Sequence, residues 1–180
     1  MKILGIETSC DETGVCLIEA SGNHGPRFSY KLLGQGLISQ ASLHAEFGGV
    51  FPNLAKREHA KNLVPLLEAA LRDAEALLLQ QKTTELPRTV LGKHLEREPQ
   101  LLEQLTVFLA KYEKPAIDAI AVTHGPGLEP ALWVGVNFAK ALSLVWNIPI
   151  VPVNHMEGHI VLPMMDLRGP SLSDQRYYFL

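Results

Sequence analysis

Two histidines stand four residues apart in His155-Met156-Glu157-Gly158-His159. On a helix, residues i and i+4 lie about 40° apart around the axis and about 6 Å along it, so both imidazoles can reach one metal ion. Seven histidines in 180 residues make such a pair a common coincidence, and internally bonded or surface histidines are the competing reading. This pair, however, directly follows a short apolar run, Pro149–Val153, where α/β folds place their sites. It is not the zinc-protease pattern, because Met156 follows the first histidine and Glu157 lies roughly 200° round the helix from it. Two ligands are fewer than a catalytic metal site uses, so a third is expected elsewhere, beyond Leu180 included.

A second candidate is the polar stretch Thr8–Gly14 between two apolar runs. Its hydroxyls, at Thr8 and Ser9, and its successive backbone N–H groups can cradle a phosphate, while Asp11 and Glu12 supply carboxylates for a cation or for proton transfer. A solvated hairpin turn is the plainer alternative. Gly125-Pro126-Gly127 precedes an apolar helix, so Gly125 and Gly127 permit a close backbone approach by a ligand, or simply make a structural turn. Lys56, Arg57, His59 and Lys61 form a basic cluster that can meet RNA phosphate or face water.

The elements that must hold these residues follow from pattern. Residues 2–8 and 15–19 read as two strands joined by a turn, and 28–39 as a third strand. Residues 41–52 read as a loop around Gly48-Gly49. A helix is expected from about Asn53 to Gln80, its stripe running from Leu63 to Leu78, kinked or split at Pro65. Residues 81–98 read as irregular, 101–112 as an amphipathic helix, 118–123 as a strand, and 131–146 as a helix apolar nearly all round and therefore sandwiched. Residues 149–153 form the fifth strand and 155–164 a short helix. The order is α/β, with an antiparallel start and parallel crossovers: a mixed five-stranded sheet flanked by helices.

Composition bounds the reading. Charged residues are 19% and hydrophobic residues 47%, which excludes wholesale disorder. A net charge of −3 argues against gripping nucleic acid with the whole surface. No apolar run is long enough to span a membrane, and Glu7 and Asp11 fall where a signal peptide would be apolar. Cys10 and Cys16 have neither zinc-knuckle nor C-x-x-C spacing and read as reduced thiols of a cytoplasmic protein.

Four segments in order carry a resemblance: Ile6-Glu7-Thr8-Ser9-Cys10-Asp11-Glu12-Thr13, His44-Ala45-Glu46-Phe47-Gly48-Gly49-Val50, Thr123-His124-Gly125-Pro126-Gly127-Leu128 and Val153-Asn154-His155-Met156-Glu157-Gly158-His159. Together they resemble the tRNA N6-adenosine threonylcarbamoyltransferase family (TsaD), formerly described as O-sialoglycoprotein endopeptidases. The resemblance implies an actin-like ATPase (ASKHA, ribonuclease H-like) fold of two lobes. Residues 1–165 would be the N-terminal lobe with an insertion at about 80–116, and 166–180 a linker and the start of a second lobe. It implies one divalent metal ion, iron ahead of zinc, on His155 and His159, with a late aspartate of the second lobe as a third ligand. Asp11 and Glu12 would serve catalysis, and Thr8, Ser9, Gly125 and Gly127 would bind substrate. The nucleotide ligand would be threonylcarbamoyl-AMP or ATP, and the partners tRNA and TsaB-like and TsaE-like proteins.

Arg176–Leu180 reads as a strand cut short, so the natural protein is expected to continue. The family's Ser-Gly-Gly-His-Thr segment is absent from the chain. The alternatives are a non-catalytic lobe that binds a partner through its helices, and an ASKHA-type small-molecule kinase, which leaves the histidine pair unexplained.

Overall fold

Alternation of side chains sets the sheet. In β1 (Lys2–Glu7), Leu4 and Ile6 are buried on one face, while Gly5 and Glu7 point to the other. β2 (Glu12–Ser21) pairs with β1 antiparallel, and β3 (Ser29–Ser39) pairs antiparallel with β2; on the far side β4 (Ala119–Gly125) pairs parallel with β1 and β5 (Ile150–Asn154) parallel with β4. The computed structural model, which describes residues 1–22, 28–80 and 88–161, gives the strand order β3-β2-β1-β4-β5. That is the expected mixed five-stranded α/β sheet flanked by helices. The opposite sheet face, with Gly5, Gly14, Cys16, Leu37, Ala121 and Val153, borders an open cavity of about 370 Å³.

The helices are α1 (Ala41–Ala45), α2 (Pro52–Asp73), α3 (Arg88–Leu95), α4 (Pro99–Lys111), α5 (Glu129–Trp146) and α6 (His155–Val161). α2 covers β2 and β3 with Leu63, Leu67, Ala70 and Leu71, and joins α5 in a core with Phe138 and Leu142. It lies close because β3 carries Gly34 and Gly36 beneath it. A Cβ at Gly34 would overlap the Ala70 carbonyl oxygen, and one at Gly36 would come within 2.8 Å of Leu66 Cδ2.

Several expectations are corrected. β2 begins at Glu12, not Val15, because Glu12, Thr13 and Gly14 pair with Ser39, Ile38 and Leu37 of β3. Residues 41–45 form a helix rather than a loop. α2 runs unbroken through Pro65, which lies on its exposed side. The Lys61 carbonyl that Pro65 leaves without an N–H accepts Gln104 Nε2 of α4 instead, at 3.4 Å. α2 ends at Asp73 rather than Gln80: Glu75 turns left-handed (φ 52°), the Ala76 N–H returns to the Leu71 carbonyl and the Glu75 N–H to Arg72, a Schellman ending. Leu78 is therefore exposed instead of continuing the stripe.

Residues 88–95 are helical, not irregular, and the fully buried Leu91 and Leu95 join the core. α5 is not sandwiched all round, since Trp133 and Leu144 are half exposed. The expected linker at 166–175, the strand at Arg176–Leu180 and the last turn of the 155–164 helix lie outside the described residues.

Gly34→Ala should pry α2 from β3. Urea unfolding is expected to show a loss of about 1–3 kcal/mol, the usual size of overpacking. An unchanged midpoint would contradict the close contact.

Candidate active site

The turn after β1 is fastened to its surroundings through several side-chain and backbone hydrogen bonds. Thr8 is buried and its Oγ1 donates to the Ala131 carbonyl at 3.0 Å, in the first turn of α5. The Ser9 N–H donates to Glu7 Oε1, and the Ser9 carbonyl accepts the Leu128 N–H at 2.7 Å. This closeness demands glycine on the facing elements. A Cβ at Gly127 would stand 2.6 Å from the Ser9 oxygen, and one at Gly135 would overlap Thr8 Oγ1. Gly125, in contrast, faces open space. Among the expected substrate-binding residues, Thr8 and Gly127 thus form the frame of the turn. Asp11 and Glu12 are half-buried, and Glu12 borders the cavity on the sheet face together with Glu7 and Thr123.

The histidine pair arrives from β5. Asn154 ends that strand, and its Oδ1 accepts the N–H groups of Met156 at 2.9 Å and Glu157 at 3.3 Å, an N-cap that starts α6 at His155. His159 comes round one turn later, and the two Nε2 atoms lie 3.0 Å apart. Two nitrogens bound tetrahedrally at about 2.05 Å would lie about 3.3 Å apart, so the pair fits a shared metal ion with a small opening.

His155 is also backed from behind. Its Nδ1 lies 3.2 Å from Ser9 Oγ and 3.4 Å from Glu7 Oε2. A carboxylate only accepts, so Nδ1 donates there and Nε2 presents a lone pair toward His159, the orientation a histidine needs to bind a metal through Nε2. Among the described residues no third His, Cys, Asp or Glu joins the two in a metal-binding group.

Glu7 belongs to the same cluster, and the sequence reading missed it. It joins three elements: its Oε1 takes the Ser9 N–H, and its Oε2 takes Thr123 Oγ1 of β4 at 2.5 Å and faces His155. The available signal was a carboxylate closing an apolar central strand, at the carboxyl end where the sheet changes direction. The basic cluster, on the other hand, disperses. Lys56 pairs with Glu98 at 2.9 Å, Lys61 with Glu58 at 3.2 Å, His59 is buried, and Arg57 and Lys61 stand exposed. The stripe at 101–112 packs on the body of the lobe.

Comparison with known proteins gives one family. The model of TsaD, tRNA N6-adenosine threonylcarbamoyltransferase, matches residues 31–84 and 78–173. Among solved structures, YeaZ from Pseudomonas aeruginosa is 15% identical with a TM-score of 0.43, over 89% of this chain and 48% of that one. RuvC from Thermus thermophilus is 12% identical with a TM-score of 0.40, over 91% and 68%. The chain spans about half the length of the YeaZ structure, and these likenesses assign no activity.

Gly135→Ala, which drives a methyl group into Thr8, should destabilise the protein by about 1–3 kcal/mol. Gly158→Ala, between the two histidines but facing open space, should be stabilising by about 0.5–1 kcal/mol. Guanidinium unfolding of the two variants checks the contrast; equal effects would contradict the frame described for the turn.

Proposed function

Because the chain belongs to the tRNA N6-adenosine threonylcarbamoyltransferase family (TsaD), we propose that it serves as one lobe of an enzyme acting on tRNA. That enzyme moves a threonylcarbamoyl group from threonylcarbamoyl-AMP to N6 of adenosine 37 in tRNAs reading codons that begin with A. The observation that supports this best is the convergence of His155 Nε2 and His159 Nε2, 3.0 Å apart, beside the Ser9–Asp11 turn. In the reaction the adenine N6 attacks the carbamoyl carbon, the bond to the AMP phosphate breaks, and N6 gives up one proton.

The chain's own residues divide that work. His155 and His159 would hold a divalent ion, iron ahead of zinc, which when bound supplies positive charge beside the acyl donor. Glu7 and Ser9 orient the His155 ring. Asp11 and Glu12 lie close in the chain to this point and would orient the donor or the attacking amine. TsaB-like and TsaE-like proteins are the expected partners, in the cytoplasm where tRNA is modified. No helix among the described residues is long and apolar enough to cross a membrane.

The test uses the complete gene product with its partners, tRNA and labelled threonylcarbamoyl-AMP. His155→Ala and His159→Ala should lower metal content and transfer together. Asp11→Asn and Glu12→Gln should cut turnover by roughly 10²-fold with folding unchanged. Full transfer with both histidines replaced would overturn the assignment.

A further inference from the structure

His59 of α2 is fully buried, and a network built around it has so far been given no role. Its Nε2 lies 3.1 Å from the Cys10 carbonyl oxygen; its Nδ1 lies 2.8 Å from Thr13 Oγ1 and 3.3 Å from Gln40 Nε2. A carbonyl only accepts, so Nε2 carries the proton and Nδ1 receives one. Gln40 Oε1 then accepts His44 Nε2–H at 3.1 Å, and His44 Nδ1 accepts the Phe51 N–H at 3.3 Å. Every ring nitrogen has its partner with both imidazoles neutral. Burial, the largest influence, pushes the His59 pKa below the ordinary 6.5, in keeping with that state.

The network ends on the turn of the candidate site. Three consecutive carbonyls there are each held by a different part of the fold: Ser9 by the Leu128 N–H, Cys10 by His59, and Asp11 by the Gln40 N–H at 2.7 Å. Fixing three peptide planes in a row leaves the backbone at Cys10 and Asp11 no slack, so the Asp11 Cα–Cβ bond has one direction. Two of the three donors are backbone groups; His59 is the side chain among them.

We propose that His59 is a positioning residue: by holding the Cys10 carbonyl it aims Asp11 and the entry to β2, and through Gln40 and His44 it ties this turn to the 46–51 loop. The catalytic consequence rests on the transferase reading; the mechanical claim does not. Two amides that differ by one methylene separate them. In His59→Gln the amide reaches the position of Nε2 and keeps a donor for Cys10. In His59→Asn it stops at the level of Nδ1.

The Gln40 and Leu128 N–H groups are held by the Asp11 and Ser9 carbonyls of the turn, and the Ile120 N–H by the Pro149 carbonyl in the body of the sheet, so deuterium labelling reads the turn and the body separately. His59→Asn should speed exchange at Gln40 and Leu128 about tenfold, as expected for one lost buried hydrogen bond, with Ile120 unchanged. His59→Gln should exchange near the wild-type rate. Equal Gln40 and Leu128 rates in wild type and His59→Asn would overturn the proposal.

Should His59→Asn fail to fold, the unaltered protein still decides. Nitrogen-15 spectra must show His59 protonated at Nε2 and protected from exchange, and a bare Nε2 would overturn the proposal. In the complete gene product, His59→Asn should lower kcat roughly 10²-fold and add little in an Asp11→Asn background. A fully additive loss would make the role merely structural and contradict positioning. Absence of transfer by the wild type would sink the transferase reading and leave the labelling to judge the proposal.

Discussion

The carbonyls of Ser9, Cys10 and Asp11 face into the protein, and each needs a donor. An unpaired buried carbonyl costs about as much as a lost hydrogen bond, so three neighbouring elements are drawn to one short turn. α5 must bring the Leu128 N–H to Ser9, which forces glycine at 127 and at 135. α2 must bring His59 to Cys10, which it does while lying flat on the side-chain-free track of Gly34 and Gly36. The start of α1 must bring the Gln40 N–H to Asp11. The helical layer and the turn are thus fixed by the same few contacts.

The candidate site follows from where the strands end. β1, β4 and β5 run parallel, so Glu7, Thr123 and Asn154 lie toward the same carboxyl end of the sheet. Glu7 uses both carboxylate oxygens there, for the Ser9 N–H and for Thr123 Oγ1, and turns the remaining capacity of Oε2 to His155. The Asn154 cap sets the first turn of α6, and with it the meeting of His155 and His159. The carboxylate and the hydroxyl of Ser9 lie at one end of the chain and the two imidazoles about 150 positions away, and the parallel crossovers bring them together.

Much of this was legible in the sequence where one local rule decides. The apolar run of 2–8 and the apolar helical stretch 131–146 each point to one element, and the four-residue histidine spacing puts His155 and His159 on one helix face. Where two rules compete, tertiary contacts decided. Pro65 should break a helix, but its side faces water and Gln104 satisfies the orphaned Lys61 carbonyl. Leu77 and Leu78 continue the apolar stripe, yet Glu75 ends the helix before them. Arg88–Leu95 is polar on average, and its two buried leucines do not make a periodic signal by themselves. His59 looked like one of four basic residues; its burial and its bond to Cys10 depend on α2 crossing β2, which no local pattern states.

We propose that His155 and His159 bind one ion through their facing Nε2 atoms. X-ray absorption at the edge of the metal carried by the complete gene product measures this most directly. Two imidazole nitrogens at about 2.0–2.1 Å are predicted, falling to one in His159→Ala. A metal with no imidazole in its shell, or a shell unchanged by that substitution, would contradict the account.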